Sequence, residues 1–272
     1  MTPSVFRPVA DLNSPEQQAF VEAARVAGLN PDDPWIGGYS DYEWDHLRPL
    51  LAVYELDMRR KNKPLRVLEF GCNAGGSLVV MAALGADVTG IDVAAEMINI
   101  ANANVGRHGL AHTARAQHVA DTRALPFADS SFDLVVANSV LEYVAPDHLD
   151  AIARELHRVT AYGAQLFICG TASRLAPREI HSGRWLVNYI PRVLDTLIYG
   201  GPAQRGLSPL FLAKVMRGRF VDVSAGRWAV GRKAIHRGIS KGARAVVWVG
   251  RIIGVSPGWL PPNIELLLRR VD

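Results

Sequence analysis

Between residues 64 and 170, short apolar runs alternate with stretches whose apolar residues return every three or four positions. That alternation predicts a parallel sheet covered on both faces by helices. Strands are expected near 65–70, 88–92, 117–120, 133–137 and 164–169, and helices near 75–85, 94–108 and 147–160. Upstream, Ser14-Pro15-Glu16-Gln17 combines an N-cap, a proline at the first helical position and a polar first turn, so a helix should run to about Gly28. A second helix begins near Ser40 or Asp41, with Trp44, Leu47, Leu51, Tyr54 and Met58 at helical spacing and Pro49 as a kink. Residues 1–63 therefore read as an N-terminal helical cap and 64–272 as the main domain. Beyond the fifth strand, a segment of about 171–206 loses the rhythm of the sheet. Within it Trp185, Leu186, Tyr189, Ile190, Val193 and Leu194 fall at helical spacing. Leu207-Ser208-Pro209 should cap a helix reaching about Arg217, followed by a sixth strand at 220–223 and a last one at Asn263–Arg270.

The sharpest change of pattern is Val67-Leu68-Glu69-Phe70 running into Gly71-Cys72-Asn73-Ala74-Gly75-Gly76. A buried strand here enters a tight turn and then a helix, and a nucleotide could lie against such a turn because no Cβ holds it off the backbone. A pyrophosphate would be cradled by bare amides at the helix N-terminus. Glu69 beside the loop suits a cationic amino-acid moiety instead, and Asn73 breaks the dinucleotide pattern G-x-G-x-x-G. The second strand ends at Asp92, 21 positions after Gly71, the spacing of a carboxylate that accepts from ribose hydroxyls. An N-cap for the following helix is the plainer role for Asp92.

With Leu125-Pro126-Phe127-Ala128-Asp129-Ser130-Ser131-Phe132-Asp133, these residues resemble the class I S-adenosylmethionine-dependent methyltransferases, whose first motif is E/D-x-G-x-G-x-G. Asn73 stands at the central glycine, and Asn tolerates left-handed dihedrals. The resemblance implies an α/β, Rossmann-like fold with a seven-stranded, mostly parallel sheet, helices on both faces and an antiparallel last strand. It implies S-adenosyl-L-methionine as cofactor, held by Glu69, Gly71, Asn73, Gly75, Asp92, Met97, Asp121, Thr122 and Asn138. Asp121 and the Thr122 amide would meet the adenine together with Met97, and Asn138 the methionine portion or the acceptor. The run 84–92 and the order of elements look especially like the ubiquinone-biosynthesis O-methyltransferases. In those, two glutamates and a histidine after the fourth strand are linked to a divalent metal. Only Glu142 matches here, within Asn138-Ser139-Val140-Leu141-Glu142-Tyr143, so no metal is expected.

In this family an N-terminal helical segment covers the cofactor and walls the substrate pocket, which implicates Tyr39 and His46. The segment 171–206 sits where the family builds its lid and brings His181, Arg184 and Trp185. A histidine near neutrality can take a proton from a phenol or enol as the methyl arrives. Candidate catalytic residues are thus His181, Tyr143 and His46, and candidate acceptor contacts Tyr39, Trp185 and Arg184. Each reads equally as a packing or solvated surface side chain. The expected reaction is O-methylation of a hydrophobic small molecule. N- or C-methylation of a lipid or polyketide, methylation of RNA, and a non-catalytic membrane- or partner-binding module stay open.

Composition adds an ordinary globular balance, 49% apolar and 21% charged in 272 residues. Two cysteines, Cys72 and Cys169, provide neither a disulfide framework nor a metal cluster and suit a reducing cytoplasm. The first eight residues lack a signal peptide's apolar core, and no apolar run approaches the ~18 residues of a spanning helix. The net charge of +4 matters through its distribution. No acidic residue lies between Val223 and Ile264, whereas Arg227, Arg232, Lys233, Arg237, Lys241, Arg244 and Arg251 do. Ile235, Ile239, Ala243, Val246, Val247, Val249, Ile252 and Ile253 give this run an apolar stripe, with Trp248 and Trp259 near its end. A basic helical insertion of about 227–262 is expected, suited to an anionic membrane surface such as the inner face of the cell membrane. Nucleic acid is disfavoured, because polar surroundings and stacking platforms are missing. A helix packed on the domain with a solvated basic face is the bland alternative. The sequence leaves the oligomeric state unknown.

Overall fold

The computed structural model describes residues 6–61, 63–235 and 239–272, with the side chains at 234 and 235 left aside. Arg237 of the basic run lies outside them. The elements are α1 (Pro15–Val26), α2 (Tyr39–Val53), β1 (Arg66–Phe70), α3 (Gly76–Ala83), β2 (Asp87–Asp92), α4 (Ala95–Arg107), β3 (Ala114–His118), β4 (Phe132–Asn138), α5 (Leu149–Val159) and β5 (Thr160–Ala172). They continue with α6 (Asp195–Tyr199), α7 (Pro209–Met216), β6 (Phe220–Asp222), α8 (Arg227–Ile235), α9 (Lys241–Ile253) and β7 (Asn263–Arg270). A two-residue strand pair, Arg59–Arg60 with Lys63–Pro64, precedes β1 and was not foreseen. The seven strands form one mostly parallel sheet in the order β3-β2-β1-β4-β5-β7-β6. By contacts the chain divides into a first unit, 1–136 with 158–164, and a second, 137–157 with 165–272.

In the first unit β1 pairs in parallel with β2 and β4, and β2 with β3. Val67, Leu68 and Phe70 are all buried, the continuous apolar run of a strand covered on both sides. Asp133 accepts from Arg66 Nε at 3.0 Å and Nη2 at 2.9 Å, a fork that pins the start of β4 to the start of β1. The third strand lies at Ala114–His118, not 117–120. It is an edge strand with one neighbour, so Arg115, Gln117 and His118 are tolerated on it and its apolar signal is thin.

Helix α1 starts as its cap signal predicts, with the Ser14 hydroxyl oxygen accepting from the Gln17 amide at 3.1 Å. It packs on α4, and α2 on α3. Arg107 at the end of α4 fastens this arrangement. Its guanidinium lies 3.8 Å over the Phe20 ring and donates to Asn104 Oδ1 (2.8 Å), Gln17 Oε1 (3.1 Å) and the Gly37 carbonyl (2.8 Å). Burial lowers its pKa to about 10. Replacing Arg107 with Met leaves these acceptors without their donor, at a cost of about 2 kcal/mol. Urea unfolding measures that loss, and an unmoved midpoint would show that Arg107 is no peg.

In the second unit β7 pairs antiparallel with both β5 and β6, as the family pattern implies. The register of β5 shifts between Ile168 and Thr171, where Gly170 has φ +65°. The apolar residues of 185–194 do not form the continuous helix that their spacing suggests. Turns, bends and irregular backbone occupy 182–191, with Trp185 bridged to Arg178, and the helical turns come later, at Arg192–Leu194 and in α6. Gly183 and Leu186 are left-handed and Pro191 interrupts the run, so no helix propagates through it. Ser208 caps α7 as expected, accepting from the Phe211 amide at 3.4 Å. The basic run forms two helices, α8 and α9, between β6 and β7.

Candidate functional site

In the first unit, β1 delivers the chain to a loop whose Gly71, Asn73 and Gly75 have φ of +79°, +45° and +78°. Asn73 thus adopts the left-handed geometry that its side chain tolerates best after glycine. A Cβ on Gly75 would sit 3.0 Å from Cα and Cβ of Ala101, so the glycine lets α4 come against the loop. The amides of Gly71 and Cys72 both donate to the Ile91 carbonyl at 2.9 Å, fastening the turn to the end of β2. Asp92 completes the clamp. One carboxylate oxygen accepts from the Asn73 amide at 2.9 Å and the other from the Ala94 amide at 3.0 Å. Ala94 is itself the N-cap residue of α4 and carries no capping side chain. The carboxylate therefore orders the glycine loop and does not cap α4 at its second or third amide.

Glu69 lies beneath this loop, 2% exposed. Burial pushes its pKa well up, against the Ser77 hydroxyl that hydrogen-bonds it, and the nearby Glu43 and Asp92 charges push the same way. Its Oε2 is buried with no hydrogen-bond partner among the described residues. Such an oxygen needs a hydrogen-bonding partner, and a cation placed beside the loop would be met by Asp92 and Glu43 and would bring the raised Glu69 pKa back down. A pyrophosphate would be repelled there, whereas an amino acid bearing an ammonium and a sulfonium fits this donor set.

Tyr39 packs its ring where a Cβ on Gly76 would be, 2.7 Å from ring Cδ1. Burial, then Glu43 and Glu69, hold its hydroxyl protonated well above the usual range, and it hydrogen-bonds Glu43. Tyr39 is therefore a donor and no base at neutral pH. Met97 is half-buried against the apolar cluster of Phe20, Ile36, Ala74 and Ile100. Asp121 is exposed after β3 and takes a fork from Arg123, Nε and Nη2 each at 2.9 Å, while Thr122 beside it is half-buried. His46 lies on the exposed side of α2, its Nδ1 2.7 Å from the Tyr42 carbonyl and its ring stacked on Tyr42 at 3.9 Å. The structure thus gathers Glu69, Gly71, Asn73, Gly75 and Asp92 around one loop with Tyr39, and leaves His46 tied to its own helix.

The second unit holds a different group. Glu142, in a 3₁₀ turn after β4, has a fully buried side chain. Its Oε1 lies 3.0 Å from Nε2 of His181 and accepts from the Ala172 amide at 3.1 Å, while Oε2 is buried without a partner among the described residues. The His181 amide donates to Glu179 at 3.1 Å, and the His181 ring lies 5.5 Å from Tyr143. The hydrogen bond to Glu142 raises the His181 pKa; burial opposes it, and the charges of Glu142 and Glu179 add to it. Asn138 Oδ1 lies 3.5 Å from Cys169 Sγ. Arg184 lies 4.7 Å over the Tyr199 ring, and Trp185 is exposed. A cleft of about 450 Å³ runs beside this segment, with apolar walls from Ala176, Pro177, Ile180 and Pro262 and polar edges from Arg178 and Glu179. The Glu142–His181 pair spans 39 positions and escapes motif reading. Its signal was a glutamate in an apolar turn, which burial obliges to find a donor.

Residues 68–168 match the family model described as a methyltransferase domain. An arsenite methyltransferase of Aquipseudomonas alcaligenes is 34% identical over 143 residues, covering 50% of this chain and 38% of that protein. A ubiquinone biosynthesis O-methyltransferase of Xanthomonas euvesicatoria pv. vesicatoria is 38% identical over 122 residues, covering 45% and 49%. The chain therefore spans half or less of the length of these two relatives. Among solved structures, an S-adenosylmethionine dependent methyltransferase of Mesorhizobium loti superposes with a TM-score of 0.52 at 17% identity, over 83% of this chain and 98% of that one. At that identity the likeness shows the fold, the Rossmann-like seven-stranded sheet of this group.

Proposed function

We propose, from the match of residues 68–168 to the family model described as a methyltransferase domain, that this protein is an S-adenosylmethionine-dependent methyltransferase acting on a hydroxyl of a hydrophobic small molecule. The observation that carries the reading is the acid-lined glycine loop, in which Glu69 keeps a buried oxygen without a donor. When bound, S-adenosylmethionine supplies a methyl group made electrophilic by a positively charged sulfur. Glu43 and Asp92 supply negative potential that attracts such a donor, Glu69 offers it a buried oxygen, and Asp92 keeps the loop in its left-handed shape. The transfer demands alignment and exclusion of water more than an elaborate proton relay.

A hydroxyl acceptor loses its proton as the bond to carbon forms. Glu142 holds Nε2 of His181, which leaves Nδ1 to take that proton when the ring is neutral. Apolar side chains exposed along 171–206, among them Leu186, Tyr189 and Val193, favour an acceptor with hydrophobic bulk. Calorimetry with S-adenosylmethionine, followed by transfer of labelled methyl to a panel of phenols, amines and activated carbons, tests the proposal. Uptake of the donor with labelling of phenols is expected. Folded protein that takes up no donor would overturn the reading, and labelling confined to amines or carbons would overturn its oxygen specificity.

A further inference from the structure

Helix α9 carries its amphipathic pattern the wrong way round for a helix packed on a core. Its inward face is built of small or half-buried residues: Gly250 is buried, and Ala243, Val246 and Val247 are half-buried. Gly250 is required there, since a Cβ would lie 2.9 Å from the Val255 carbonyl oxygen. The large apolar side chains point outward, with Trp248 65%, Ile252 62% and Ile253 55% exposed. Helical spacing places Trp248, Ile252 and Val249 on this outer face, Arg244 and Arg251 along one edge of it, and Lys241 in line with Trp248 and Ile252 at the start of the helix. All three cations are exposed. The helix is well defined at both ends, by Ser240 accepting from the Ala243 amide at 3.1 Å and by left-handed Gly254.

Its neighbour α8 behaves oppositely. Trp228 is buried, and Arg232 pairs with Glu265 on β7, so α8 turns these two side chains inward and anchors the insertion to the second unit. The apolar face of α9 therefore remains outside after the insertion has packed.

We propose that α9 docks this protein on an anionic lipid surface, with Trp248, Ile252 and Ile253 entering the boundary between headgroups and acyl chains and Lys241, Arg244 and Arg251 meeting the lipid charge. No described helix is long and apolar enough to cross a membrane, so α9 lies along the surface. The single sign of charge selects this occupant. No acid lies between Val223 and Ile264, so a second copy seated symmetrically on the same face would set cations against cations. Single-stranded RNA would meet aliphatic side chains where it stacks on aromatic ones. The inference goes beyond the proposed reaction and does not depend on it, because donor binding is measured separately.

The test is co-sedimentation of the full-length protein with phosphatidylcholine vesicles, with and without phosphatidylglycerol. Binding only to the anionic vesicles, weakened by salt, is expected. Each cation contributes about fivefold, so the triple substitution Lys241→Gln, Arg244→Gln, Arg251→Gln should reduce partitioning by about 100-fold. Trp248→Ala with Ile252→Ala should reduce it by more than tenfold, with donor uptake and melting temperature unchanged. Trp248→Leu should keep binding but lose the quenching of fluorescence by brominated lipids. Any of three results overturns the proposal: equal binding to neutral vesicles, no binding with a dimer that the double alanine variant dissolves, or salt-sensitive RNA binding without vesicle binding.

Discussion

Replacing Asp92 with Ala should weaken uptake of S-adenosylmethionine by about 100-fold or more. Two losses combine. The amides of Asn73 and Ala94 lose the carboxylate that holds them at 2.9 and 3.0 Å, so the glycine loop is no longer pinned to the end of β2. The proposed acceptor for the ribose hydroxyls disappears as well. Asp92→Asn separates the two, because its amide oxygen can still take one of the loop amides but carries no charge. An intermediate affinity is expected for it, read by calorimetry beside circular dichroism as a check on folding. Near-native uptake by the alanine variant would dismiss Asp92 as a donor ligand.

The second large effect concerns His181. Without its imidazole, as in His181→Asn, methyl transfer to a hydroxyl should slow by about 10²- to 10⁴-fold, while donor uptake stays unchanged. The pH profile says more. Because Glu142 raises the pKa of His181, the neutral ring prevails only above the ordinary histidine value of 6.5, so the rate should climb through an acid limb above that value. Glu142→Gln removes the charge, and the limb should move to lower pH while the plateau falls because the ring loses its fixed orientation. Folding stability takes the opposite sign. The raised pKa stabilises the fold fully below 6.5 and ceases to do so as pH rises through the raised value. The working form of the pair is thus the less stabilising one. A profile that stays in place in Glu142→Gln would leave the pair a structural contact only.

Much of the first unit was legible because its elements follow rules that act locally. The Ser14-Pro15 cap, the apolar run of β1 and the left-handed loop each declare themselves within a few residues, and the bounds of α1, β1, β2 and α4 fall close to expectation. The edge strand β3 was displaced because Arg115 and His118 face water and, with half-buried Gln117, carry no apolar signal. The second unit was harder to read. The spacing at 185–194 imitates a helix, but Gly183, left-handed Leu186 and Pro191 decide the backbone there. The Glu142–His181 hydrogen bond arises from the return of the chain after β5, which no local pattern records. For α9 the sequence revealed an amphipathic helix but not which side it packs on. That depends on Gly250 fitting beneath the Val255 carbonyl, a matter of tertiary approach.

Strands β6 and β7 are hydrogen-bonded neighbours, with Asp222 opposite Leu268, and everything from 223 to 262 departs from one and comes back to the other. The closure of such an excursion depends only weakly on its length. Its tethers at the two ends are the Ser224 hydroxyl, which accepts from the Leu267 amide at 2.8 Å, and the Trp259 indole, which donates to Asp222 at 2.8 Å, and between them α8 adds buried Trp228 and the Arg232–Glu265 pair. A splice that retains these ends together with α8 could therefore shorten, exchange or transplant α9 without re-registering the strands, which makes that helix an interchangeable cassette for redirecting the scaffold to other surfaces.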